Sequence, residues 1–454
     1  MKKIILCLSL FLCGLASWAQ APEIAQDVQE NIKARITTER NVGIVVGLIE
    51  GEEVTYFSYG KTAVENGKPV TEEAVFEIGS ISKVFTTILL SDQLLQGKMK
   101  LTDPLTAYLP KTVKVPSRNG KAITLKDLAT HSSGLPRMPN NFAPANPNNP
   151  FADYTIAQLY EFLSNYELPR DVGASYEYSN VGMGLLGHIL ELHSGKSYEE
   201  LIAEHFNRGY GMEHTGLRLS KEMKARLALG HAEGVAVENW DIVSLAGAGG
   251  IRSTAQDMVK FIQANMGVID SPLQEAMNMS HAPAYKNETQ NFEMGLGWHY
   301  ANNGEIIWHN GGTGGYRTFA GFLKGTQKGV VVLSNSNESI DDIGLKLLNP
   351  ALSLKTPKKK VVPQIVEVSE NVLEQYVGRY ELTPTFSITV TKEGKKLFLQ
   401  ATGQPKFEVF PSAQNEFFLT VVEASITFNA DSEGKIESLT LHQGGQNPVG
   451  KKVE

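Results

Sequence analysis

A serine and a lysine three residues apart, Ser80 and Lys83 in the stretch FEIGSISKVFTTILL (76–90), are the first pair in this chain whose types and spacing could do chemistry. A serine hydroxyl is a weak nucleophile until a base takes its proton, and a lysine amine can serve once its pKa is brought down from near 10. The apolar run behind them reads as a helix, on which positions i and i+3 share a face and can meet. A serine at a helix start also gains from the N-terminal dipole, which steadies a developing oxyanion. The spacing alone settles little. Background composition gives roughly two such pairs by chance in a chain of this length, and Ser58-Tyr59-Gly60-Lys61 and Ser432-Glu433-Gly434-Lys435 match as well. Both carry glycine before the lysine and read as hairpin turns. Plain N-capping by Ser80, with Lys83 on the surface, stays open at this point.

Two further groups join the pair. Tyr178-Ser179-Asn180 lies in GASYEYSNVGMGLLG (173–187), where a tyrosine and an asparagine two apart on an irregular segment point the same way. Phenol and amine together can pass a proton to and from a serine, provided both pKa values fall toward neutrality. His309-Asn310-Gly311-Gly312-Thr313-Gly314-Gly315 follows the strand EIIW. Its glycines let a backbone approach a ligand closely; an ordinary glycine-rich hairpin turn fits the same residues.

Taken together, S-x-x-K, Y-x-N and H-x-G in this order resemble the serine β-lactamase and penicillin-binding-protein superfamily, most closely its class C β-lactamase-like branch with D-aminopeptidases, D,D-carboxypeptidases and esterases. FEIGSISK, THSSGLP, YEYSN, GGIRSTAQDM and HNGGTGGY carry the likeness, which covers about Ile32 to Asn337. The resemblance implies a covalent acyl-enzyme. Ser80 would be the nucleophile, with Lys83 and Tyr178 as general bases and Tyr178 activating the acceptor in deacylation. Asn180 would hold the acyl amide and help position Lys83. The oxyanion would lie between the backbone N–H groups of Ser80 and Gly312. His309, Asn310, Gly311, Gly312 and Thr313 would line the substrate, and Asn335 would match a position near the substrate carboxylate. The chain departs from the lactamase pattern at His309, where a lysine is usual. A histidine with a pKa near 6.5 is mostly neutral at pH 7, which favours a peptidase, amidase or esterase over an efficient penicillin-degrading enzyme. An acyltransferase using the same acyl-enzyme, a class C-type β-lactamase and a non-catalytic peptidoglycan-fragment binder are the alternatives.

The elements that must position these residues are legible in the hydrophobic periods. Helical patterns cover 21–37, 83–95, 125–130, 156–163, 181–192 and 254–266. GIVVGLIEGEEVTYFSYG (43–60) reads as a β-hairpin, and GEIIWHNGG, YRTFAGFLKG and GVVVLSNSN as later strands. Strands near both ends of this region with helices between them predict an α/β (α+β) fold, an antiparallel sheet flanked by helices with an all-helical subdomain, over 20–350. The Pro- and Asn-rich loop at 131–150 is long enough to be functional. A basic, Pro-marked linker spans 351–369. Short alternating strands over 370–454 predict a small all-β barrel, which resembles the lipocalin-like domains appended to some of these hydrolases.

Composition fits an exported globular enzyme. Of 454 residues 42% are hydrophobic and 20% charged, with a net charge of −7 and no long basic run, so nucleic acid and anionic membranes are poor partners. Residues 1–19 read as a secretory signal: Lys2 and Lys3, an apolar core, then Ser17-Trp18-Ala19 at the cleavage site. The run is shorter than the ~20 residues of a membrane span, and Leu12 before Cys13 argues against a lipoprotein. Cleavage removes Cys7 and Cys13, the only cysteines, and takes the charge to −9 as Lys2 and Lys3 leave. The mature enzyme is then expected to use no cofactor, no metal and no disulfide, and to act on a small-molecule or peptide substrate, in the periplasm or outside the cell. Oligomeric state is open. The remaining candidates read as structural: His188 and His193 as surface or packing residues, Ser253 to Asp257 as a helix cap, Lys358–Lys360 as solvated linker, and His131 as a turn near the cleft.

Overall fold

A computed structural model describes residues 21–453 apart from 360–362, 384–385, 403, 405, 421, 423 and 444–445. The expected signal segment, with both cysteines, lies outside the described residues. No helix among the described residues is long and apolar enough to cross a membrane.

The catalytic region is built on one sheet of eight strands. The β-branched run Gly43–Glu50 (β1) turns through two residues into Glu53–Gly60 (β2). The other strands come more than 200 residues later: Tyr285–Asn287 (β3), Phe292–Met294 (β4), His299–Ala301 (β5), Ile306–Gly312 (β6), Arg317–Leu323 (β7) and Lys328–Ser334 (β8). Their spatial order is β2-β1-β8-β7-β6-β5-β4-β3, every neighbour antiparallel, with β1 and β8 paired from Ile44 opposite Ser334 to Glu50 opposite Lys328. The expectation that the sheet joins distant parts of the chain is met. The three short strands β3–β5 extend it beyond the part legible in the sequence.

Alternation along the strands divides the core in two, because successive side chains point to opposite faces. On one face, Ile44, Val46, Leu48, Ile306, Phe319, Val330 and Val332 pack with helices Gln26–Thr37 (α1) and Asp341–Leu348 (α5). The other face carries the larger core, where Val45, Ile49, Ile307, Ala320, Val331 and Leu333 meet helices Ser82–Leu95 (α2), Asn180–Ser194 (α3) and Ala255–Asn265 (α4). Helix α2 is buried from Ser82 through Ser91, which makes it the central helix of that layer.

The start of the linker is tied to α1 by Asn31 Nδ2 to Lys355 O (2.9 Å) and to the turn after it by Arg40 Nε to Lys358 O (2.7 Å). After a short helix, Glu370–Tyr376, eight strands close into an antiparallel barrel. They run Gly378–Thr383 (β9), Phe386–Glu393 (β10), Lys396–Ala401 (β11), Lys406–Pro411 (β12), Glu416–Leu419 (β13), Ala424–Ala430 (β14), Ile436–Gln443 (β15) and Val449–Lys452 (β16). Closure is between β9 and β16, at Tyr380 opposite Lys452. The barrel's core is filled by side chains: Tyr376 stacks on Phe428 at 4.1 Å, with Phe417, Leu399 and Val409 around them. Ser432 and Lys435 flank the β14–β15 turn, as expected, whereas Ser58 lies within β2 rather than in a turn.

Candidate active site

Ser80 sits in a tight 3₁₀ turn, Gly79–Ile81, that runs directly into α2. Two contacts hold the turn, the Ser82 hydroxyl donating to Gly79 O (2.8 Å) and Ile251 N–H donating to Ser82 Oγ (3.1 Å), so Ser82 is a structural residue. Strand β6 passes so close that two glycines are obligatory. A Cβ on Gly79, whose φ is +52°, would fall 2.7 Å from Gly312 N, and one on Gly311 would fall 1.9 Å from Ile78 O. Their absence brings the backbone of Gly312, which is itself exposed, against the turn that carries Ser80.

Lys83 is completely buried, and its Nζ lies 2.9 Å from Ser80 Oγ. The ammonium has no carboxylate partner among the described residues; its other bond goes to Ala248 O, at 2.6 Å. Burial, followed by the positive charge of Arg137, holds its pKa well below that of a free lysine. A neutral amine there can accept the Ser80 proton while still donating one N–H to Ala248 O. Surface N-capping is thus excluded for this pair.

Tyr178 behaves differently. Burial raises its pKa, and the neighbouring Ser80 hydroxyl and Arg137 only partly offset that. The expectation that both groups fall toward neutrality holds in direction for Lys83 and is corrected for Tyr178, which burial pushes the other way. Around its ring stand Lys83 Nζ at 4.8 Å and the Arg137 guanidinium carbon at 5.2 Å from the centroid. Three imidazoles complete the surround, with centroids at 4.5 Å (His131), 6.5 Å (His299) and 6.4 Å (His309). Burial is the first cause lowering the pKa of all three, with Lys83 adding to it in each; His299 falls to about 4. The three histidines are not arranged to hold a metal.

His131 does more than shape a turn. Its carbonyl accepts the N–H of Glu177 (2.8 Å) and its Nδ1 accepts the N–H of Ser179 (3.1 Å), so it grips the backbone on both sides of Tyr178 while its ring lies on the phenol. It does this at φ +55°, a left-handed conformation uncommon for a residue with a side chain and frequent at functional sites.

Several expected substrate contacts fall elsewhere. Strand β6 runs through the whole of His309–Gly312, so its pleat sends His309 and Gly311 to the Ser80 side and Asn310 to the other. There Asn310 Nδ2 donates to Asp341 Oδ2 at 2.7 Å. His309 is on the correct face but only 1% exposed; its Nδ1–H donates to Asn310 O (2.5 Å), and its Nε2 is a buried acceptor beside Tyr178 and His299. It serves the tyrosine's surroundings, not the open cleft. Thr313 is buried in the turn after β6, where its N–H donates to Tyr316 O. Asn335 is fully buried and spends its amide on the carbonyls of Lys61, Thr62 and Leu229, so it ties strand ends together and does not reach a substrate. Asn180, the first residue of α3, is part-exposed with its amide 3.7 Å from Met138 Sδ; positioning Lys83 falls to Ala248 instead. The sequence reading missed His131, His299, Arg137 and Ala248 as site residues. THSSGLP and the 131–150 loop were the available signals for the first and third.

Residues 28–351 match the Beta-lactamase family model. The chain belongs to the Beta-lactamase family. Residues 363–451, the barrel, match a domain of unknown function (DUF3471). Among curated relatives, a D-alanyl-D-alanine-carboxypeptidase/endopeptidase, AmpH, of Escherichia coli (strain K12) is 29% identical over 72% of this chain and 90% of that protein. Penicillin-binding protein 4* of Bacillus subtilis (strain 168) is 26% identical over 89% of this chain and 93% of its own length, an overlap that extends into the barrel. Among solved structures, a Beta-lactamase/D-alanine carboxypeptidase from Yersinia pestis complexed with citrate superposes with a TM-score of 0.60 at 27% identity, covering 69% of this chain and 92% of that one. A class C beta-lactamase at 24% identity, TM-score 0.63, shares the fold. The expected family and fold hold, and the chain is a serine hydrolase of this family with a closed eight-stranded barrel after it.

Proposed function

We propose that the protein is an exported hydrolase that forms an acyl-enzyme at Ser80 on amide or ester bonds, with D-alanyl peptides as the substrate class. The observation that carries the chemistry is the buried, carboxylate-free Lys83 amine 2.9 Å from Ser80 Oγ. The relatives' carboxypeptidase names support the substrate class, and the Lys2–Lys3 start with its short apolar core supports export.

In acylation, Lys83 takes the Ser80 proton as Oγ attacks the carbonyl carbon. The oxyanion is held by the N–H groups of Ser80 and Gly312, which the two obligatory glycines bring together. Tyr178, a phenol in contact with Ser80, passes a proton to the leaving amine or alcohol and receives one from the incoming water in deacylation. The phenolate left on Tyr178 after acylation is refilled by the proton of the incoming water, and Lys83 returns its proton to Ser80 Oγ as the ester bond breaks, so all three groups end as they began.

Labelling with a fluorophosphonate or a β-lactam, followed by peptide mass spectrometry, tests this reading. The adduct is expected on Ser80 and absent in Ser80→Ala. An adduct that persists in Ser80→Ala removes the nucleophile assignment, and binding of D-alanyl peptides with no turnover across an ester and peptide panel points to a non-catalytic binder.

A further inference from the structure

We propose that Arg137 reads a carboxylate on the substrate, supplying at the mouth of the cleft the charge that His309 does not; the inference rests on the acyl-enzyme reading of Ser80. Arg137 is exposed, but its backbone is fixed. Its carbonyl accepts the N–H groups of Asn180 (2.9 Å) and Val181 (3.3 Å) at the start of α3, and the carbonyl of its neighbour Pro136 accepts the Ser179 hydroxyl at 2.7 Å. The side chain leaves this mount to lie over the Tyr178 ring, whose far chemistry is the Ser80 hydroxyl.

Among the described residues no carboxylate forms an ion pair with Arg137. Its charge acts on Lys83, His131, Tyr176 and Tyr178. Glu177, next to Tyr178 in the chain, is taken by Arg170, and Arg252 is taken by Glu77 and Asp241. The Arg137 cation adds to burial in lowering the pKa of Lys83. It also leaves a planar fork of donors whose best match is a carboxylate held by two parallel bonds. The aromatic face beneath it and the fixed backbone reduce the entropy and solvation losses that make mobile surface pairs weak. The lactamase pattern places its lysine on β6. Here that position is a buried imidazole, and a cation is offered instead by the 131–150 loop.

The test uses two matched substrate pairs on the full-length mature enzyme. One is an acyl-D-Ala-D-Ala peptide with its C-terminal amide analogue; the other is a p-nitrophenyl ester whose acyl chain ends in a carboxylate, with its terminal amide. Wild type is expected to favour the carboxylate member of one pair by about tenfold to a hundredfold in kcat/KM, the range of a charge-assisted hydrogen bond. Arg137→Gln should bring that ratio near one, and Arg137→Lys should keep part of it. No preference in either pair, or a preference unchanged in Arg137→Gln, overturns the proposal. So does an equal fall for both members, which would mean that Arg137 only tunes Lys83 and Tyr178. Fluorophosphonate labelling of Ser80 in the same preparations keeps the two readings apart: labelling with no carboxylate ratio rejects Arg137 alone, whereas loss of labelling in wild type rejects the acyl-enzyme.

Discussion

Replacing Gly79 by alanine should separate the geometry of the oxyanion site from the general cost of a strained backbone. The new Cβ would sit 2.7 Å from Gly312 N and 3.0 Å from Gly312 O, against an ordinary contact beginning at 3.4 Å, so β6 must retreat by about 0.7 Å. Both atoms are backbone, and Gly311 already lies against Ile78 O, so the strand cannot yield by a side-chain rotation. Alanine at φ +52° adds a left-handed penalty of about 1 kcal/mol. Gly97, just past the end of α2, supplies the control: its φ is +68°, and a Cβ there meets nothing within 4 Å. Gly97→Ala therefore carries the backbone penalty without the collision. Displacing one oxyanion donor by this much should slow fluorophosphonate labelling of Ser80 by about 10²- to 10³-fold, or 2.7–4 kcal/mol in the barrier. Gly97→Ala should label within about twofold of wild type, a tolerance far below a tenfold step of 1.4 kcal/mol. Stopped labelling time courses, with thermal unfolding of both variants, give the comparison. A Gly79→Ala enzyme that labels within tenfold of the Gly97→Ala enzyme would refute the idea that the close approach of β6 builds the oxyanion site.

Two further outcomes follow from the charges. Lys83 must be deprotonated to act and its pKa is lowered, so the labelling rate should rise with pH on an acidic limb and level off below the range of a free lysine. Lys83→Met should lose that limb and about 10²- to 10⁴-fold in rate, and a limb that survives the substitution would assign the base elsewhere. Stability should fall in acid. His299 titrates near 4 when folded and near 6.5 when unfolded, so below pH 6.5 the unfolded chain takes up a proton that the native one refuses. That group's contribution is whole above pH 6.5 and is lost by up to about 1.4 kcal/mol per unit as pH falls toward 4. Urea unfolding from pH 7 to pH 4 should show a shallower slope in His299→Asn, and an unchanged slope would mean that His299 is not held neutral.

The parts of this architecture that were legible in the sequence are those set by local period. The apolar face behind Lys83 marked α2, and β-branched runs marked β1, β6, β7 and β8 at nearly their observed limits. Strands β3, β4 and β5 were not legible, because three residues such as Tyr285–Asn287 are too few for an alternation to declare itself. The closure of the barrel, where Gly378–Thr383 meets Val449–Lys452 across the whole unit, is a pairing that no local pattern carries. One error was avoidable. Ile306, Trp308 and Asn310 alternate with Ile307, His309 and Gly311, so period two alone forbids His309 and Asn310 from facing the same substrate.

The surroundings of Tyr178 were beyond any such pattern, and they change how the departure from the lactamase motif is understood. His131, His299 and His309 are separated by 168 and 10 residues along the chain, yet their rings enclose one phenol. A lysine at 309 would add a second buried amine beside Lys83, and each would suppress the other's protonation in a site with no carboxylate among the described residues. A neutral imidazole avoids that competition: it fills the same space on β6, offers Nε2 as an acceptor beside the tyrosine, and leaves Lys83 as the only amine at the nucleophile. The substitution therefore simplifies the proton chemistry at Ser80 rather than weakening it. Its consequence is a loss of charge toward the substrate, which moves the burden of recognition outward to the loop that carries Arg137.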